Sequence, residues 1–157
     1  NDDNQARIAA EGGIAAVLAA MGKHGSHAGV QEQGCGALLN LADNDDNKAR
    51  IAAEGGIAAV LAAMGKHGSH AGVQEQGCGA LLNLADNDDN QARIAAEGGI
   101  AAVLAAMGKH GSHEDVQERG CWALLNLAYN NDDNQARIAA EGGIAAVLAA
   151  MGKHGSH

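Results

Sequence analysis

Histidines recur in pairs three residues apart, His24 with His27, His67 with His70, His110 with His113 and His154 with His157, each inside the same segment HGSH. Imidazoles at that spacing can offer nitrogen ligands to zinc or nickel. Two ligands per segment fall short of a closed tetrahedral site. The expectation is therefore solvated loop histidines, no resident metal or cofactor, and nothing retained after dialysis against a chelator. Protonating all eight imidazoles would carry the formal charge from −9 to −1, which predicts reduced solubility near about pH 5 to 6.

Cysteine is the other reactive type. Cys35, Cys78 and Cys121 occupy the same place in successive copies of GC(G/W)ALLNLA, an odd count without the close spacing of a disulfide framework. No general base stands beside one copy and not the others. Free cysteine on an apolar helix face behaves as a small hydrophobe, so the thiols are expected to be structural and the setting reducing and cytoplasmic.

Asparagine offers recognition instead of reaction. Asn40, Asn83 and Asn126 recur every 43 residues, and an amide carrying both a donor and an acceptor can hold the main chain of an extended ligand without reading its sequence. The structural alternative is that they bond backbone near the end of the third helix. Trp122 can form an aromatic wall for a Lys or Arg stem, with Glu118 and Asp115 near its charge, or it can pack on Arg119.

These residues are positioned by a repeat. NDDNQARIAAEGGIAAVLAAMGKHGSH opens at Asn1 and returns at Asn44 (with Lys48 for Gln), Asn87 and Asn131, at offsets of 43, 43 and 44. A period near 43 lies in the range of stacked helical units that cannot bury an apolar face alone. The expected organisation is one domain over 1–157, with repeats 1–43, 44–86 and 87–130 and a partial repeat 131–157.

Each unit predicts three helices. The first starts at the Asn/Asp-rich NDDN, with acidic residues at its positive end, and stops at Gly12-Gly13, where the chain can take positive φ. The second carries Ile14, Val17, Leu18 and Met21 as one apolar stripe. The third, over Glu114 to Ala128, turns Val116, Cys121, Leu124, Leu125 and Leu127 inward. Asp115, Glu118, Arg119, Trp122 and Asn126 form a separate stripe without core character. Arg7 and Glu11, with their counterparts, are i,i+4 helix-supporting pairs. Because Gly36 and Gly79 stand where the third copy has Trp122, that position is expected to touch no neighbouring helix tightly.

The EGGIAAVLAAM turn and second helix, the VQERGCWALLNLA third helix and the Trp122-x-x-x-Asn126 pair together resemble the armadillo repeat family over essentially the whole chain. The resemblance implies an all-α, right-handed α-solenoid of about eleven helices whose third helices line a concave groove. It also implies that Trp122 and Asn126, with Asn40 and Asn83, face that groove and bind an extended peptide. Two departures from the family pattern are Gly36 and Gly79 in place of Trp, and Ala15, Ala58, Ala101 and Ala145 where proline is frequent.

Composition narrows the partners. The chain is 46% apolar, yet it has no Phe or Pro and its aromatics are Trp122 and Tyr129, a core chemistry suited to closely packed helices. A net charge of −9 argues against nucleic acid and anionic membranes and favours a basic partner. No apolar run reaches membrane-spanning length and no signal peptide opens the chain; NDDNQ without Met predicts a trimmed or partial chain.

Catalysis needs an asymmetric constellation, and these units differ almost only around one third helix, so no enzymatic activity is expected. Such uniformity predicts an engineered consensus-like array, or a very recent duplication. The functional expectation is a non-enzymatic binding scaffold whose groove takes an extended, preferably basic, peptide or protein segment. The alternative is a self-associating structural module, a homodimer or head-to-tail stack through uncapped ends.

Overall fold

The tandem units fold into tandem helices. A computed structural model describes residues 2–154, and within them the chain is all-α with eleven helices. The first unit holds α1 (Asp2–Ala10), α2 (Gly13–Lys23) and α3 (Ala28–Leu41); the second holds α4 (Asp45–Ala53), α5 (Gly56–Lys66) and α6 (Ala71–Leu84). The third holds α7 (Asp88–Ala96), α8 (Gly99–Lys109) and α9 (Glu114–Ala128), and α10 (Asp132–Ala140) and α11 (Gly143–His154) follow. This order is consistent with a helical-repeat, solenoid class.

Local chemistry sets the boundaries. Asn44, Asn87 and Asn131 cap α4, α7 and α10, their side-chain oxygens accepting the N–H of Asn47, Asn90 and Asn134 at 3.0, 3.0 and 2.9 Å. A cap of this kind is worth about 1 kcal/mol. Asp45 and Asp46 sit in the first turn of α4, where the helix dipole favours negative charge. At the other end Gly55 takes φ 92°, a left-handed conformation that turns the chain into α5. The pair Arg50 and Glu54 lies at 3.7 Å on the exposed side of α4, as its spacing predicts.

The core runs continuously from unit to unit. α3 packs along α6 and α6 along α9, while α2, α5 and α8 each pack on the third helix of their own unit and on the second helix of the next. Ile51, Ile57, Leu81, Leu84, Ile94 and Ile100 are buried in this seam, and each such side chain contributes roughly 1.5 to 3 kcal/mol on burial. Close approach of α5 and α6 depends on Gly77, where an added Cβ would stand 2.5 Å from Met64 Cγ.

The expected inward face of α9 needs one correction. Val116, Leu124 and Leu127 are buried and Cys121 is half-buried, but Leu125 is 64% exposed. Its counterpart Leu82 is only 7% exposed because α9 covers it, and no third helix follows α9 among the described residues. The extra residue behind the 44-residue offset is absorbed just beyond α9, where Asn130 takes φ 50°.

Three rails of hydrogen bonds join successive units. On the first helices, Asn47, Asn90 and Asn134 each donate Nδ2 to the carbonyl of Gln5, Lys48 and Gln91 one unit back, all at 3.1 Å. The same amides reach Leu41, Leu84 and Leu127 at the ends of the third helices. At the loops, Nε2 of His67, His110 and His154 donates to the carbonyls of Gly25, Gly68 and Gly111 at 2.8, 2.8 and 3.0 Å. On the third helices, Asn83 and Asn126 donate to Leu39 and Leu82. No helix among the described residues is long and apolar enough to cross a membrane.

Candidate functional site

The third helices hold the candidate site, and histidine starts each of them. Nδ1 of His27, His70 and His113 accepts the N–H of Val30, Val73 and Val116 at 3.2, 3.2 and 3.3 Å, an N-cap built from imidazole. From these starts α3, α6 and α9 present equivalent side chains in register.

Asn83 Nδ2 donates to the Leu39 carbonyl at 2.9 Å and Asn126 Nδ2 to the Leu82 carbonyl at 2.8 Å, both half-buried. Each amide therefore spends one donor on the preceding third helix, while its oxygen accepts nothing from the described residues. Asn40 is exposed; its main-chain carbonyl accepts from Gln5 Nε2 at 2.8 Å, and its side chain bonds none of the described residues.

One cleft of about 330 Å³ gathers most of the remaining residues. Its walls are Asp115, Glu118, Arg119 and Trp122 of α9 and Asn83 and Gly79 of α6, with Leu39 and Leu82 below. Trp122 is 51% exposed. Asp115 and Glu118 are exposed and pair with no cation among the described residues. Arg119 is turned toward α6: its Nη1 donates to the Glu75 carbonyl at 3.1 Å and lies 3.9 Å from the Glu75 carboxylate. The cleft thus combines an indole face with two unpaired carboxylates and a guanidinium already engaged elsewhere. Asn40 and Asn126 stand outside its walls.

The Gly/Trp position is tighter than its letters imply. At Gly79 an added Cβ would meet Arg119 Nη1 at 3.0 Å and a Leu39 methyl at 3.2 Å, so this position does touch its neighbours. At Gly36 the nearest group is the Gln76 side chain at 3.5 Å. Arg119 and Gln76 come from the next third helix in each case, and Leu39 from the preceding one. No third helix follows Trp122 among the described residues, and its ring has room that a side chain at 79 lacks, while the contact at 36 is an ordinary one.

The histidines depart from the expectation of solvated loops. His67, His70, His110, His113 and His154 are half-buried and used structurally, as caps or as inter-unit donors, while His24 and His27 are exposed. His157 lies outside the described residues. Glu32 and Glu75 approach His70 and His113 at 3.8 Å from the preceding third helix. No group of three or more potential metal ligands converges among the described residues. Letter patterns do not reveal these roles, because histidine is not a habitual cap and its acceptor lies a unit away.

The cysteines follow the apolar stripe. Burial pushes the Cys35 and Cys78 thiols up to about 12, with Arg119 opposing the rise at Cys78, and burial also raises Cys121. Such thiols are protonated at neutral pH and poorly nucleophilic. No protein-family model matches the chain, and no curated protein is significantly similar to it.

Proposed function

We infer that the chain is a non-enzymatic binding scaffold, a right-handed armadillo-type stack of three-helix repeats whose third helices hold an extended, basic peptide segment. The observation that carries this reading is the cleft where Trp122 stands beside Asp115 and Glu118. An indole face attracts a Lys or Arg stem by dispersion and cation–π contact, worth roughly 0.5 to 2 kcal/mol, and the adjacent carboxylates take the charged head. The free amide oxygens of Asn83 and Asn126 can accept main-chain N–H groups of the same segment. The net charge of −9 adds long-range attraction for a basic partner. The near-identity of the repeats supports an engineered or recently duplicated array, in which Trp122, Arg119, Glu114 and Asp115 distinguish one unit from its neighbours.

The test is titration of the chain with an unstructured Lys/Arg-rich peptide, followed by Trp122 fluorescence, with an acidic peptide of equal length as the comparison. Saturable binding of the basic peptide alone is expected. Trp122→Ala, read by calorimetry, should weaken it roughly threefold to thirtyfold, and Asn126→Ala should weaken it further. Equal affinity for both peptides, or unchanged affinity in both variants, would remove the groove reading.

A further inference from the structure

At α11 the described residues leave open a junction that is made in each earlier unit. Ile14, Ile57 and Ile100 are at most 1% exposed, whereas Ile144 at the same place in α11 is 62% exposed. Met21, Met64 and Met107 are at most 3% exposed, and Met151 is 63% exposed. A cleft of about 420 Å³ lies there, lined by Leu124, Leu125, Ile138, Ile144, Val147 and Leu148 among others, and its surface is almost wholly apolar. One unit earlier the equivalent residues are covered by α9, which packs on α6, α7 and α8. The shape left open is therefore the seat of a third helix.

The complementary half is at the other end. α3 has no third helix before it among the described residues, and Gly29, Val30, Gln33 and Ala37 on its leading edge line a second cleft of about 480 Å³ with Val17 and Met21. Asn40, further along α3, is exposed. Asn83 and Asn126 donate to Leu39 and Leu82 of the preceding third helix. By the same register Asn40 would donate to Leu125.

A whole second copy cannot seat α3 in this cleft unaltered. α11 would have to lie against α3 where α2 already lies, and the two helices share the sequence GIAAVLAAMGK. Residues 131–157 are in fact identical, letter for letter, to residues 1–27. We propose that the 157-residue chain self-associates head to tail by hairpin exchange, α10–α11 of one copy displacing α1–α2 from α3 of the next.

The balance favours exchange at sufficient concentration. α1–α2 packs on α3, α4 and α5, and an identical hairpin restores those contacts residue for residue. The exchanged hairpin keeps its packing on α8 and α9 of its own copy. The net gain is α3 stacked on α9, as α6 stacks on α3 and α9 on α6, with Leu125, Ile144 and Met151 buried in the process. Against this stand the freed α1–α2 and the entropy of association.

Two methionines give opposite signatures. Met21 is packed at Gly34 in the monomer, whereas Met151 is exposed there and would be packed at Gly34 of a second copy only after exchange. Sedimentation from micromolar to millimolar concentration should show growing species. Met151→Ala should raise the dissociation constant at least tenfold with the unfolding midpoint of the dilute monomer unchanged. Met21→Ala should lower that constant at least tenfold, because it loosens the competing hairpin. In this second variant the hairpins differ in mass, so hydrogen exchange read by mass spectrometry should show 2–27 losing protection on association while 131–154 gains it. A monomer at every concentration overturns the proposal. So does weaker association in both variants with 2–27 still protected, which would mean docking of intact ends.

Discussion

Asn126 Nδ2 lies 2.8 Å from the carbonyl oxygen of Leu82, and Asn83 Nδ2 lies 2.9 Å from that of Leu39. The residue type that the repeat presents once per unit for possible ligand contact is thus also a tie between units. The tie uses the amide nitrogen as donor and leaves the amide oxygen as an acceptor.

Removing that tie should weaken the stack independently of any ligand. Asn83→Ala is expected to cost about 0.5 to 1.5 kcal/mol, the usual net value of such a bond. Urea unfolding checks this, and Asn40→Ala is the control, since the Asn40 side chain bonds none of the described residues. Equal losses in the two variants would show that the inter-unit bond contributes nothing.

The glycines separate into two kinds. Gly55 has φ 92°, so Gly55→Ala should destabilise by about 1 to 2 kcal/mol. Gly65 lies within α5 with nothing within 4 Å of an added Cβ, so Gly65→Ala should stabilise by about 0.4 to 1 kcal/mol. Thermal melts of the two variants should move in opposite directions.

The imidazole cap of α6 can be replaced by a better one. His70→Ala should lose about 0.5 to 2 kcal/mol through the orphaned Val73 N–H, and His70→Asn should recover most of it. A variant pair with equal melting temperatures would show that the His70 contact is not a working cap.

The buried thiols predict an alkaline weakness. Cys35 and Cys78 keep their protons to about 12 in the fold, against an ordinary value of 9.0. Between those values the unfolded chain binds fewer protons than the folded one, so stability is fully present below about pH 9 and falls as pH rises toward about 12. Urea midpoints measured at about pH 8 and pH 10.5 should diverge less in Cys78→Ala than in the parent chain. An unchanged difference would remove the thiol contribution. At about pH 8, Cys121 should react first with a thiol reagent, being the least buried of the three.

Much of the architecture was legible in the letters. The 43-residue period, the Asn starts, the Gly-Gly stops and the i, i+3, i+4 apolar spacing all act within a few residues of chain, and the helices formed where those signals stand. The extent of α9, Glu114–Ala128, matches the stretch read from sequence. The candidate site was legible only in part. Asp115, Glu118, Arg119, Trp122 and Asn83 meet around one cleft, but the turn of Arg119 toward Glu75 and the ties made by Asn83 and Asn126 depend on carbonyls 44 residues away.

Sequence by itself determined the helical class, the repeat and most helix ends, because periodicity and capping are local interactions. Tertiary structure decided which identical letters are buried. Leu82 and Leu125, or Met107 and Met151, have the same immediate neighbours in sequence and opposite environments, since burial is conferred by the next helix in the stack. The half-buried histidines have the same origin: an imidazole becomes a cap or a tie only when folding brings its donor or acceptor within 3.3 Å.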